Sequence, residues 1–273
     1  MKLKLSATNQ MVPGKTLTDK AKLLHKLGYS GMAVFIDGPD WKDEYLDEMK
    51  SLEEKTGVKV CEFVLTADLY GHLMDPDPAI RKAALPYYLR SIEIANKLGA
   101  ITEFEYEYRY QDPLPLFDPY KTMPASEEKR FLKIAEKLGN AVEDGAYMLL
   151  EACNRYETKY LTTMEACTDI LNKVPEKAAK HLGLIADFFH LALEENDLRS
   201  SVLYAGDWIK HVHLGDHNRL APGHGRTDWK EVFSDLHEVG FEGYMNLECG
   251  LSGERVAALT EVHDYLKGIA DSI

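Results

Sequence analysis

Clustered cysteine is absent from this sequence. The four cysteines, Cys61, Cys153, Cys167 and Cys249, stand far apart and form no CxxC pair, which excludes a disulfide framework and a structural zinc knuckle. Three of them lie in or beside apolar runs, where a reduced thiol acts as a small buried hydrophobe. Long apolar runs are missing as well. None reaches the length of a bilayer span, and the opening "MKLKLSATNQ" carries basic residues without the apolar core of a signal peptide. Basic residues are the minority, 32 Lys and Arg against 45 Asp and Glu, for a formal net charge of -13. That balance argues against nucleic acid or an anionic membrane as partner. No low-complexity linker or shift of composition divides the 273 residues, so one domain over 1–273 in the cytoplasm is expected.

What is present is alternation. Eight short apolar runs are separated by segments of helical period: "LKLSA", "GMAVFI" from Gly31, "VKVCEFVL" from Val58, "GAITEF" from Gly99, "YMLLE" from Tyr147, "LGLIAD" from Leu182, "IKHVHL" from Ile209 and "YMNLE" from Tyr244. This is the pattern of repeated βα units, and eight is the number a closed (β/α)8 TIM barrel requires. The first helical segment opens at a Thr or Asp cap, sets Leu17, Ala21, Leu24 and Leu27 on one stripe, and stops at Gly28. Similar segments are expected near 78–98, 126–144, 161–180, 228–239 and 253–270, with the weakest helical signal after the sixth strand. The longest irregular stretch, "EYEYRYQDPLPLFDPYKTMPAS", follows the fourth strand and reads as a functional flap or a subunit contact. The second reading suits a homo-oligomer, a dimer or tetramer.

The stretch "MLLEACNRYET" runs an apolar strand directly into a carboxylate, which a strand interior normally excludes. A parallel barrel gives the reason, because its catalytic groups come from the C-terminal strand ends. Glu151 ends the fifth strand, Asp187 ends the sixth, His213 lies at the end of the seventh and Glu248 ends the eighth. Taken singly, each has a bland explanation in an ion pair or a hydrogen-bonded core position. Four on consecutive strands point instead to a divalent metal of the Mn or Mg kind, held by three carboxylates and one imidazole.

Further polar groups follow these ends. Asn154, Arg155 and Glu157 come after Glu151, His190 lies three residues past Asp187, and "GDHNRLAPGHGR" after His213 carries His217, Arg219, His224 and Arg226. Such groups orient ligands or grip the hydroxyls of a polar substrate. For Arg155 an ion pair within its loop is almost as good an explanation. "CGLSGER" sets small residues at a helix start, where backbone amides can cradle a phosphate, but Ser252 as a simple N-cap is preferred.

The segments "LLEACNRYET", "LIADFFHLALEE", "HVHLGDHNRLAPGHGRTDW" and "MNLE" resemble the motifs of the xylose-isomerase-like TIM-barrel superfamily, most closely its ketose 3-epimerase branch. The match covers roughly 145–250; the N-terminal half shares the barrel rhythm alone. The resemblance implies one divalent ion, Mn2+ before Mg2+, Co2+ or Zn2+, on Glu151, Asp187, His213 and Glu248, with His211 unbound. It implies Glu151 and Glu248 as the acid and base, and Glu157, His190 and Arg219 on substrate oxygens. Two features depart from the branch: strand eight ends in "LECG", and the aromatic flap after strand four does not match.

Such a site suits carbon acid chemistry on a small-molecule sugar. A metal on the carbonyl and neighbouring hydroxyl oxygens stabilises an enediolate, and two carboxylates on opposite faces invert the carbon. The residues alone do not separate epimerisation from aldose-ketose isomerisation or from loss of a hydroxyl in a dehydratase; the resemblance implies epimerisation of a ketose at carbon 3 first, then the isomerisation, then the dehydratase. A trinuclear nuclease of the endonuclease IV type needs a His from the fourth strand, which "GAITEF" lacks, although His72 could fill one extra position. A barrel that binds sugar without catalysis is disfavoured by the complete ligand set.

Overall fold

The computed structural model describes residues 1–117 and 121–273. Residues 118–120 fall inside the Tyr- and Pro-rich loop, so that part of the flap expectation lies outside the described residues. Each of the eight apolar runs forms a strand: β1 (Leu5–Thr8), β2 (Gly31–Asp37), β3 (Lys59–Thr66), β4 (Ile101–Phe104), β5 (Tyr147–Glu151), β6 (Leu182–Asp187), β7 (Ile209–Leu214) and β8 (Tyr244–Leu247). They close in chain order into a barrel, and every neighbouring pair is parallel. Among the described residues no helix is long and apolar enough to cross a membrane.

The helices cover the outside. They are α1 (Leu17–Lys26), α2 (Asp43–Thr56), α3 (Pro78–Leu98), α4 (Ala125–Gly139), α5 (Met164–Leu171), α6 (Glu176–Ala179), α7 (Phe188–Glu194), α8 (Leu198–Ala205), α9 (Trp229–Glu238) and α10 (Arg255–Ala270). Thr16 and Asp19 cap α1 reciprocally, and Leu17, Ala21 and Leu24 are buried along its stripe. The helix α2 was not assigned from sequence, because its buried stripe is only Met49, Leu52 and Thr56 in a charged segment. The stretch 161–180 divides into α5 and α6, with Pro175, which has no N–H to continue a helical ladder, at the break. The segment 126–144 stops at Gly139. After β6 there are two helices, and the Asp197 side chain caps the second by accepting from Ser200 N. Ser252 is not the cap of α10: Glu254 takes that place, its carboxylate accepting from Val256 N and Ala257 N.

Between strands and helices lies the main core, with Trp229, Phe188, Phe233, Phe63 and Phe104 among its fully buried side chains. Truncating an aromatic of that kind to Ala typically costs about 3–5 kcal/mol. Inside the barrel a second, small apolar cluster joins Ile101, Leu149 and Ile185. Barrels of this type usually fill the lumen with layers of bulky apolar side chains. Here much of it is polar and buried: Ser6, Glu62, Glu103, His211 and Asn246. Ser6 Oγ donates to Asn246 Oδ1 at 3.2 Å, and Asn246 Nδ2 donates to Thr8 Oγ1 at 3.1 Å. A polar lumen leads directly to the strand ends.

Candidate active site

Strand register brings the functional side chains to one level. β6 and β7 pair Asp187 with His213, while β5 and β6 pair Glu151 with Ile185. Glu248 is the first residue past β8, and its backbone N donates to Leu214 O at 3.3 Å. The donor atoms of Glu151, Asp187, His213 and Glu248 all lie within 4.8 Å of one another. His213 Nδ1 is 2.7 Å from Glu248 Oε2, 3.1 Å from Glu151 Oε1 and 4.0 Å from Asp187 Oδ2. Asp187 and His213 are fully buried, and Glu248 is about one-third exposed, at 31% of its side chain. Asp187 also caps α7, accepting from Phe189 N at 2.8 Å, which fixes its orientation.

Three carboxylates and an imidazole that converge this closely repel or need neutralising, and a divalent cation of the Mn or Mg type matches the donor set. Cys153 is near, with Sγ 3.7 Å from Glu151 Oε2. Burial and the charge of Glu151 hold its thiol well above the usual range, so it offers no thiolate. The other cysteines are free too. Burial pushes the His213 imidazole down, but the charges of Glu248 and Glu62 outweigh it and hold it well above its usual range. Glu248 is the mirror case: burial raises it, while His213 and then Arg219 bring it below the carboxylate range.

The other expected residues gather around this group. Arg219 lies closest, and in a manner the sequence did not suggest. Its Nη1 donates to Asp187 Oδ2 at 2.7 Å and its Nη2 to Glu248 Oε1 at 2.9 Å, so it bridges two of the four clustered carboxyl and imidazole groups. The guanidinium lies 4.4 Å from the Phe189 ring centroid. Arg219 adopts φ 59, a left-handed conformation that costs a side-chain-bearing residue roughly 1–2 kcal/mol and that clusters at functional sites. The loop around it is built on Asp216, whose carboxylate accepts from Gly225 N, Thr227 N, Thr227 Oγ1 and Trp229 Nε1 at 2.9–3.2 Å. Gly225 is required there, because a Cβ would overlap the Asp216 carboxylate.

His190 is buried, with Nε2 3.6 Å from Asp187 Oδ2. Its Nδ1 accepts from Asn154 N at 3.1 Å and faces Asn154 Nδ2 at 2.7 Å. The same amide donates to Glu157 Oε1 at 3.0 Å, so Asn154 ties His190 to a half-buried Glu157. Arg155 turns away: its Nε meets Glu194 Oε1 and Oε2 at 3.0 and 3.1 Å, an ion pair that reaches to the end of α7 and is not the pairing within its own loop that was expected. His72 pairs with Asp75 at 3.0 Å in the loop after β3 and does not join the cluster.

Four residues of the site region were not singled out, or were set aside, by sequence reasoning. Glu62 on β3 faces both histidines of β7, with Oε1 3.2 Å from His213 Nε2 and Oε2 3.3 Å from His211 Nε2, the latter without hydrogen-bond alignment. Burial pushes Glu62 up, but His213 and His211 prevail and hold it below the usual range. The other two are Glu103 and Glu105, whose acid-at-every-second-position pattern in "TEFEYE" was the available signal, since alternate strand residues share one face.

Comparison with known proteins gives the following. A family model described as xylose isomerase-like TIM barrel matches residues 21–269. The chain is 28% identical to a D-psicose 3-epimerase of Ruminiclostridium cellulolyticum, covering 82% of this chain and 74% of that protein. It is 24% identical to a 3-dehydro-D-guloside 4-epimerase of Escherichia coli, covering 92% and 94%. Among solved structures, a 3-keto-D-glucoside 4-epimerase from E. coli shares the fold with a TM-score of 0.83 at 21% identity, over 98% of this chain and all of that one.

Proposed function

The chain belongs to the xylose isomerase-like TIM barrel family, and from that premise we propose that it is a divalent-metal-dependent sugar epimerase that inverts a carbon next to a ketone, with carbon 3 of a ketose as the target. The observation that carries the reading is the approach of Glu151, Asp187, His213 and Glu248 to within 4.8 Å in a chain similar to a D-psicose 3-epimerase over most of its length. A cation held by these four, Mn2+ first, would supply the positive charge that stabilises the oxygens next to the departing proton.

The chain's own groups account for the rest. Glu248, drawn below the carboxylate range by His213 and Arg219, is ionised and able to accept a proton; Glu151, three strands away, is the second carboxyl of the pair. One removes the proton from the carbon beside the ketone and the other returns a proton to the opposite face. Arg219, His190 and Glu157 offer directed hydrogen bonds to the sugar oxygens. The amides at the start of α10 already bind the Glu254 carboxylate, which supports an unphosphorylated sugar. A second reading, inversion at carbon 4 of a 3-keto sugar, is favoured by the relative that spans 92% of this chain. It uses the same chemistry, because that carbon also adjoins a ketone.

The test is to strip the purified protein with chelator, restore Mn2+, Mg2+, Co2+ or Zn2+ separately, and follow D-psicose, D-tagatose, L-ribulose and a 3-keto-glucoside by chromatography and NMR. An epimer formed only after metal is restored is the expected result. Full turnover by metal-free protein would overturn the metal role, and no inversion of any of these would overturn the reading.

A further inference from the structure

The side chains on β5 to β8 have a neighbour at the same level on the β4 side. β4 pairs with β5 from Ile101↔Tyr147 to Phe104↔Leu150, so one more step sets Glu105 level with Glu151. Alternation fixes its direction. Phe104 and Tyr106 both stack on Phe131 of α4, with centroids 5.8 and 6.2 Å apart, which places them outside the barrel. Glu103 and Glu105 therefore point inward.

Tyr70, in the loop after β3, places its hydroxyl 2.9 Å from Glu103 Oε1 and 2.6 Å from Glu105 Oε1. Glu105 is buried, and its second oxygen, Oε2, has no hydrogen-bond partner among the described residues. No cation stands within ion-pair distance of it among those residues, in contrast to Glu62 and Glu248. A buried polar atom left unpaired costs about 1–3 kcal/mol, and at functional sites such a cost is commonly offset when a ligand arrives. Glu103 shares Tyr70 but lies one layer deeper, 4.0 Å from His213 Nε2, so Glu105 is the one at the mouth.

We propose that Glu105 is a further substrate-contacting residue of the site, its Oε2 exchanging a hydrogen bond with a sugar hydroxyl while Tyr70 holds the carboxyl in position. The inference rests on the epimerase reading above. With Oε1 engaged by Tyr70, Oε2 is a carboxyl oxygen without a partner among the described residues and can accept a hydrogen bond from a sugar hydroxyl. Tyr70 has one proton to donate to two carboxyls, and a shared proton on the pair satisfies both contacts.

The test compares wild type with Glu105→Ala, Glu105→Gln and Tyr70→Phe, using Glu107→Gln as control because Glu107 pairs with Arg109 further out. Metal per chain is measured by atomic emission, D-psicose affinity by calorimetry on Mn-loaded protein, and kcat and KM by epimer formation. Glu105→Ala is expected to keep its metal and its melting temperature yet lose tenfold or more in D-psicose affinity. Glu105→Gln, which retains a hydrogen-bonding amide, should lose less, and Tyr70→Phe should move in the same direction. Unchanged affinity in both Glu105 variants would overturn the proposal, and so would loss of metal, which would make Glu105 a ligand. If wild type binds D-psicose without inverting it, the epimerase reading fails while the affinities still decide the role of Glu105. If wild type binds neither D-psicose nor a 3-keto-glucoside, both fall.

Discussion

The Nε2 atom of His213 lies 3.2 Å from Oε1 of Glu62, which leaves Nδ1 of the same ring facing Glu151 and Glu248. The two nitrogens are thus divided between a buried carboxylate below and the four-residue cluster above. Were a cation held by the cluster, the proton kept on Nε2 by Glu62 would leave the Nδ1 lone pair to meet it and make that nitrogen more basic. Glu62→Gln is accordingly expected to weaken Mn2+ binding about 10–100-fold, measured by competition with a chelator, while circular dichroism stays native. Unaltered affinity would reduce Glu62 to a core ion-pair partner.

Arg219 bridges Asp187 and Glu248 and stacks on Phe189. Its replacement by Ala should leave metal bound, because the four donor side chains remain, yet lower kcat/KM by roughly two orders of magnitude, about 3 kcal/mol of transition-state binding. Arg219→Lys should not restore the rate, since an ammonium cannot span two carboxylates as a planar fork does. Metal content and steady-state kinetics on the same preparations check this. A metal-free Arg219→Ala protein would show instead that the guanidinium positions the cluster.

The paired glutamates make an isotope prediction. Turnover in heavy water should place deuterium at the inverted carbon, and Glu151→Gln or Glu248→Gln should each remove most of the rate. Mass spectrometry and NMR of the product read the label. A product free of solvent deuterium would mean that one shielded group moves the proton.

Asp216 gives a stability prediction with a defined sign. It is fully buried; burial pushes the carboxyl up, but the Thr227 amide, His217, the Thr227 hydroxyl and Trp229 outweigh it and hold it well below the carboxylate range. A depressed folded-state value means that its contribution is complete above the unfolded value, about 3.9, and is lost as pH falls through the folded one. Asp216→Ala should lower stability by about 3 kcal/mol at neutral pH by leaving several donors unpaired. The difference from wild type should shrink in acid, as measured by urea denaturation across pH.

Much of the fold was legible because barrel strands flanked by helices are continuous apolar runs, and the runs ended within one residue of the strand ends. The four strand-end residues were legible for the same reason: a charge that closes an apolar run is conspicuous. Asp187 needed nothing beyond that, whereas His213 stands one residue before the end of its run and was chosen over His211 by the resemblance. Glu105 was less visible, since it follows the strand in a segment already rich in acids and aromatics, and only its register against Glu151 gives it a place.

The sequence by itself determined the order of strands and helices and the residue types delivered to the barrel mouth, because period and breaker residues act locally. Tertiary structure alone decided which lumen side chains meet. Glu62 and His213 are separated by 151 positions, and Arg219 reaches Asp187 across 32. Such pairings depend on strand register around a closed barrel and on one left-handed residue in a loop, and neither leaves a local pattern in the chain. The buried charges balance one another across strands, so each appears alone as a misplaced polar residue until closure of the barrel brings its partner within reach.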